Sequence, residues 1–288
     1  MTMAEQTVIT TNPEITQAPN QEVSHESTLF AEPLAHIGNL TVTNSLLASW
    51  VAVFILVIFF VAVGRKIRKV PRGVQNIFEL LLEKALEMAD SVTGSRKKSE
   101  KFLPIALALF LFIFVNNWLG LIPGMGTIGF DEVAEGHKVF IPLLRGGTAD
   151  INTTLALALV AVIGSHVAGV LVIGVWNYFN KFVNLKLLLE IPGKIRKDFT
   201  VVLVNPIKVF VGLVEVISEF AKVASLTFRL FGNIFAGEVL LASMMALFAY
   251  ILPLPFMFLE MIVGIIQALI FAILALVYMT IATQEHEH

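Results

Sequence analysis

The sequence predicts an all-α integral membrane protein with five membrane-crossing helices, one cytoplasmic-surface amphipathic helix, and a last pair of helices forming a long, strongly tilted hairpin. Three observations carry that expectation. Of 288 residues, 57% are hydrophobic and only 15% are charged, a balance outside the range of a soluble domain of this size. The apolar residues are gathered into runs long enough to cross a bilayer. The lysines and arginines are concentrated in two of the connections between those runs. The absence of cysteine removes disulfide frameworks, thiolate metal sites and cysteine nucleophiles from consideration.

Residues 1–43 hold no Lys or Arg, carry five Glu and are rich in Thr, Asn, Gln and Pro. They read as a polar tail, its first 27 or so residues weakly ordered. A basic start and an early apolar core are both missing, so the tail does not read as a cleaved signal peptide. Residues 44–283 form a single membrane domain, and 284–288 are a polar C-terminal tail.

The first span is expected from Ser45 to Gly64, about 20 residues, which at ~1.5 Å per residue covers a ~30 Å hydrocarbon layer. In residues 74–90, Glu79, Glu83, Glu87 and Asp90 recur at spacings of four, four and three, with Ile77, Phe78, Leu81, Leu82 and Leu86 elsewhere on the cylinder. Such a helix either lies on the membrane surface or docks a partner. Further apolar stretches run from Phe102 to Ile122, Ile151 to Phe179, Val201 to Leu252 and Phe256 to Ala282.

The segments 65–101 and 180–200 hold ten and five Lys/Arg, against two, Lys138 and Arg145, in the tail and the 123–150 loop together. That asymmetry places the N-terminus outside and the two basic loops in the cytoplasm; helix count then puts the C-terminus in the cytoplasm.

The fourth stretch is too long for an upright span. From Ile207 to Leu247 a continuous helix measures about 61 Å, and no Gly/Pro/Asn loop interrupts it. An irregular break facing lipid would leave backbone groups unpaired, so one steeply inclined helix is expected, turned back at Pro253 and Pro255.

At 100° per residue, Asn233, Ser225, Lys222, Ser218 and Glu215 all fall within about 40° of Arg229, forming one polar stripe. Glu238 lies about 180° away and ~13 Å further along the axis. On the last helix, Glu260 and Gln267 are seven residues apart on one face. Neither Glu238 nor Glu260 has a basic partner at a matching position of its own helix, which suits each to carrying a proton. Glu219, three residues before Lys222, is expected to form an ion pair. Arg229 cannot escape burial by losing its proton, so it reads as a permanent cation facing a carboxylate on a partner.

These residues carry a resemblance. "RLFGNIFAGE" (229–238) resembles the signature of subunit a of the F-type ATP synthase membrane sector; "FVNNWLGLIPG" (114–124), "TADINTTLALAL" (148–159) and "QALIFAILALVYM" (267–279) resemble other stretches of that family, and the likeness runs from about residue 40 to 283.

The resemblance implies a stator beside a rotating ring of c subunits, with two aqueous half-channels that open on opposite sides and do not meet. It matches Arg229 to the arginine that holds the deprotonated ring carboxylate and blocks a short circuit. It matches Glu238 to the acid of the outer path, Gln267 to the glutamine near the arginine, Asn233 to the asparagine one turn beyond, and Asn117 to an asparagine near the outer path. Glu215 and Ser225 match polar positions of the cytoplasmic path, which the stripe extends to Ser218. Glu260 departs from the pattern, because some members carry His there while the Glu238 position stays acidic.

The partners implied are the c-ring, the peripheral-stalk b subunits, the remaining synthase subunits and the lipid bilayer, with no nucleic acid. The location implied is a bacterial plasma (inner) membrane. No cofactor or metal is expected, and ATP chemistry belongs elsewhere in the complex.

Several weaker signals read plainly. "GMGTIG" (124–129) follows a membrane helix rather than a strand and reads as a loop. His166 is expected to pack against a neighbouring helix through a hydrogen bond rather than line a proton path, and "EHEH" reads as a solvated tail. Gly232, Gly237 and Gly264 are expected to allow close helix packing. The rival classes are a secondary transporter binding solute between inverted repeats, for which no half-to-half repeat is visible, and an assembly scaffold, which leaves the buried arginine unexplained.

Overall fold

The computed structural model describes residues 28–38, 40–65, 73–134, 137–183, 200–248 and 251–284. The first 27 residues, the basic stretch 66–72, most of the second basic loop and the terminal "EHEH" lie outside the described residues.

Five helices are long and apolar enough to cross a membrane. The first, α1 (Asn44–Gly64), starts where the Thr43 side chain accepts a hydrogen bond from Leu46 N. It buries one face of small residues, Ser45, Ala48, Ser49 and Ala52, and leaves Val53, Phe54, Val57 and Val61 exposed. Small residues let helix backbones approach where lipid supplies no hydrophobic drive between helices. The amphipathic helix α2 (Val74–Thr93) ends at Gly94 in the left-handed conformation, φ 67°.

Neither reading open for α2, the membrane surface or a partner, covers its second half, which docks on its own chain. Leu82, Ala85, Leu86, Ala89 and Val92 pack against Phe102, Leu103 and Ala106 of α3 (Arg96–Leu121) and against Leu276 and Met279 of the last helix. Ile77, Leu80 and Leu81 of its first half stay exposed.

The apolar stretch that begins at Ile151 is divided: α4 spans Ile151–Ile173, Gly174 adopts φ 89°, and the short α5 (Val175–Val183) follows. At that φ any side chain would be strained, so the single apolar run becomes one span and a nine-residue helix folded onto its neighbours. Next, α6 (Thr200–Leu247) is a continuous helix of 48 residues. Its apolar part, Phe210–Leu247, is about 57 Å long and fits a ~30 Å layer only at a steep inclination. It returns as α7 (Pro253–Ala282), with proline in its first turn, where the missing N–H costs no hydrogen bond.

The core is a bundle of α3, α4, α6 and α7. Leu109 and Ile113 meet Ala158, Ala161 and Val162, Leu226 and Leu230, and Ala268, Phe271 and Ala275. Only one side of α6 enters it; Phe210, Leu213, Ile217, Phe220 and Phe228 on other sides are exposed.

The spans are all helical, yet two short antiparallel ribbons that the sequence reading did not anticipate lie outside them, one before α1 and one between α3 and α4. These are β1 (Pro33–Ile37) with β2 (Leu40–Thr43), and β3 (Gly129–Ala134) with β4 (His137–Pro142). "GMGTIG" is the 3-10 turn Met125–Thr127 leading into β3.

Candidate functional site

Three groups of polar residues are built on this frame. The first lies along the free side of α6. Ser218, Ser225, Arg229 and Asn233 are exposed, and Glu215 is half-buried. Arg229 Nη2 donates to Ser225 Oγ at 3.3 Å, one helical turn back. Among the described residues Arg229 forms no salt bridge, and Gln267, half-buried on α7, makes no hydrogen bond to it. Leu230 and Ala268, their sequence neighbours, share the core, so the two side chains stand on adjoining helices. Gly232 makes no close helix contact among the described residues. It is exposed, with open space where a Cβ would be, which leaves a notch in the free side of α6 beside Asn233.

The second group is near the end of the bundle where α6 turns back into α7. Glu238 faces away from the Arg229 track, as the helical spacing requires, and its basic partner comes from outside its own helix. Arg145, from the loop between β4 and α4, grips it as a fork: Nε donates to Oε1 at 2.9 Å and to Oε2 at 3.2 Å, and Nη2 donates to Oε2 at 2.9 Å. The guanidinium also donates to the carbonyl oxygens of Thr28 at 2.8 Å and Phe30 at 3.3 Å. Its side chain is 5% exposed.

Sequence reasoning counted Arg145 only as a loop charge. The usable signal was a lone arginine five residues before the aspartate of "TADIN". That aspartate, Asp150, caps α4 by accepting from Asn152 N and Thr153 Oγ1, and it accepts from Ser45 Oγ at 3.1 Å and Ala31 N at 3.3 Å. The loop carrying Arg145 is thereby tied to α1 and to the 28–31 segment.

Glu260 is buried, and its Oε1 has no hydrogen-bond partner. Its carboxyl lies against the Cα of Gly237, where a Cβ would collide with all three carboxyl heavy atoms. Gly237 precedes Glu238, so the two glutamates converge on one turn of α6, one gripped by a guanidinium and one not. Asn117 completes the group: its Nδ2 donates to Gly264 O at 2.9 Å, and its Oδ1 accepts from Thr148 Oγ1 at 2.5 Å. Gly237 and Gly264 thus serve close approach, as expected.

Substituting Gly237 by valine is expected to displace the Glu260 carboxyl or part α6 from α7, at about 1–3 kcal/mol of overpacking. The melting temperature should fall accordingly, and an unchanged value would refute this geometry.

The third group lies toward the opposite end. Glu219 Oε1 accepts from Lys222 Nζ at 2.7 Å, the ion pair that the spacing predicts. Lys222 Nζ stands 5.3 Å from the centre of the Tyr278 ring. His166 hydrogen-bonds a neighbouring helix, as expected, through Nδ1 and the Tyr178 hydroxyl at 2.5 Å. Its Nε2 stands 3.6 Å from Glu219 Oε2. Burial, with the negative charges of Glu219 and Glu215, pushes the Tyr178 phenol up to about 12.

No cluster of His, Asp and Glu able to hold a metal ion occurs among the described residues. The arrangement suits moving protons between fixed carboxylates, and it leaves a cation on an open helix face. Comparison with known families finds that the model described as ATP synthase A chain matches residues 46–280.

Proposed function

The chain belongs to the ATP synthase A chain family, whose model covers most of its length, and from that premise we propose that the free side of α6 is the track on which a ring of c subunits turns. The protein is an integral membrane subunit of an ATP synthase and acts as its proton-channel stator. In our reading, a ring carboxylate takes up a proton on the outer side from the group formed by Glu238, Glu260, Asn117 and, nearer Arg229, Gln267 and Asn233. It travels almost a full circle through lipid, meets the inner path along Ser225, Ser218 and Glu215, releases its proton and pairs with Arg229.

The observation that carries this reading is the setting of Arg229. It is exposed on α6 and free of any salt bridge among the described residues, and Glu238 lies on the other side of the helix. A permanent cation without a carboxylate of its own in an apolar helix implies an anion from outside the chain. The open notch at Gly232, with exposed Ala224 and Ala236, suits close approach of a partner helix. At ~4 Å and an effective dielectric of ~20, the guanidinium repels a proton by about 4 kcal/mol, suppressing direct leakage by a factor of about 10³.

The same reading puts the Glu238 end outside, the basic loops and the C-terminus in the cytoplasm, peripheral-stalk b subunits alongside, and the complex in a bacterial plasma membrane. Residues 1–43 serve as an external tail, 44–283 as one membrane domain, and 284–288 as a cytoplasmic end.

Gentle purification tests it. The chain is expected to copurify with a ring of small proteolipids and to carry protons in liposomes only in that company. Transport by the isolated chain would replace this reading with a self-contained transporter.

A further inference from the structure

The stator reading does not use the network at the inner end of α6, and within it Glu219 is not bonded as a purely structural counterion would be. Its Oε1 takes the Lys222 ammonium, while its Oε2 is buried without a hydrogen bond. Buried carboxylate oxygens are ordinarily satisfied. His166 Nε2 stands 3.6 Å from this oxygen, beyond hydrogen-bond reach and close enough for charge to act.

Position supports a transport role. Glu219 is one turn from Glu215, three residues from Lys222 and ten from Arg229, the last distance about 15 Å along the helix. Carboxylates and a hydroxyl therefore succeed one another at intervals of four to six residues from Glu215 through Glu219 and Ser225 toward Arg229.

We infer that Glu219 is a further proton-carrying carboxylate of the inner path and that His166 determines when it can accept a proton. This rests on the reading of α6 given above. A ring carboxyl gives up its proton, an O–H bond forms at Glu219 Oε2, and the proton then leaves for the solvent past Glu215, returning Glu219 to carboxylate. Lys222 keeps its three protons throughout.

The imidazole controls the middle step. A bare Nε2 lone pair facing a carboxylate oxygen is repelled, so Nε2 carries a proton in either charge state. In the neutral ring the Tyr178 hydroxyl donates to Nδ1; in the imidazolium Nδ1 donates to it. The second state places two cations beside Glu219 and holds it as carboxylate, closing the step. Among the described residues, the charged and titratable groups around His166 include Tyr178 of α5, Glu215, Glu219 and Lys222 of α6, and Tyr278 of α7 beneath the ammonium. Tyr178 stays protonated, its phenol being pushed up to about 12. Imidazole is the group of this set whose ordinary range lies nearest neutrality.

The assembled complex in liposomes tests this by ATP-driven proton pumping, with pH varied on the inner side only and each rate divided by the uncoupled hydrolysis rate of the same preparation. Between pH ~7.5 and ~5.5 the wild type is expected to lose pumping severalfold relative to His166→Gln, because imidazole is the side chain that ordinarily changes charge in this range. Glu219→Gln should pump less and show no such inflection, while Tyr178→Phe should shift the midpoint without flattening the curve.

Superimposable wild-type and His166→Gln profiles would overturn the inference. If His166→Gln does not assemble, an unmoved midpoint in Tyr178→Phe overturns it instead. A wild-type complex that hydrolyses ATP without pumping would sink the stator reading itself, a different result from pumping that ignores these substitutions.

Discussion

Arg229→Ala is expected to abolish proton-driven ATP synthesis while the complex still assembles. The side chain is exposed, and its one hydrogen bond among the described residues goes to Ser225 at 3.3 Å. Its removal therefore leaves no cavity and no unpaired carboxylate within the chain. What disappears is the cation that pairs with the incoming ring carboxylate and repels a proton between the two paths. Loss of a barrier of about 4 kcal/mol corresponds to a factor of about 10³, so membrane vesicles should lose synthesis by at least about a hundredfold and gain a passive leak. Arg229→Lys should fall between, because an ammonium in a poorly solvated site can shed its proton and guanidinium cannot. Vesicles of the alanine variant that made ATP at near-normal rates would reject the role given to this residue.

The second large effect is expected at Arg145. Replacing it by leucine leaves the Glu238 carboxylate without its three guanidinium hydrogen bonds and takes the guanidinium donor from the carbonyls of Thr28 and Phe30, the latter keeping the Thr28 hydroxyl. Breaking a buried pair costs about 3–5 kcal/mol. Glu238 is 33% exposed, and solvent reduces that to about 1–3 kcal/mol, enough to lower the melting temperature and loosen the 28–31 segment. The double substitution Arg145→Leu, Glu238→Leu removes both partners and should recover most of that stability without recovering flux. Recovery of both would show the pair to be purely structural. Full flux in the single variant would remove Arg145 from the outer path.

The parts of this arrangement that were legible beforehand are local in the chain. The continuity of α6 followed from an uninterrupted apolar run and the cost of breaking a helix in lipid. Glu219 and Lys222 stand three residues apart on one helix, so their contact needed no knowledge of the fold. The opposition of Arg229 and Glu238 is a matter of nine residues at 100° each.

The contacts that were not legible join distant positions. Arg145 and Glu238 are 93 residues apart, and His166 and Glu219 are 53; no periodicity relates such pairs. The break at Gly174 was hidden because its apolar flanks read as one run. The hairpins were hidden because strands of four to six residues in polar connections carry little pattern.

By itself, the sequence determined that this chain crosses a membrane five times, that one helix must lie steeply inclined, and that an arginine would be stranded on one side of it. Solvation cost and helical period set those outcomes residue by residue. Only the tertiary structure decided which glutamate was gripped by Arg145, which came to rest on a glycine, and which was brought beside an imidazole. Those choices are made by close packing among helices that meet only after folding, where a shift of a few ångströms separates an ion pair from an unpaired acid.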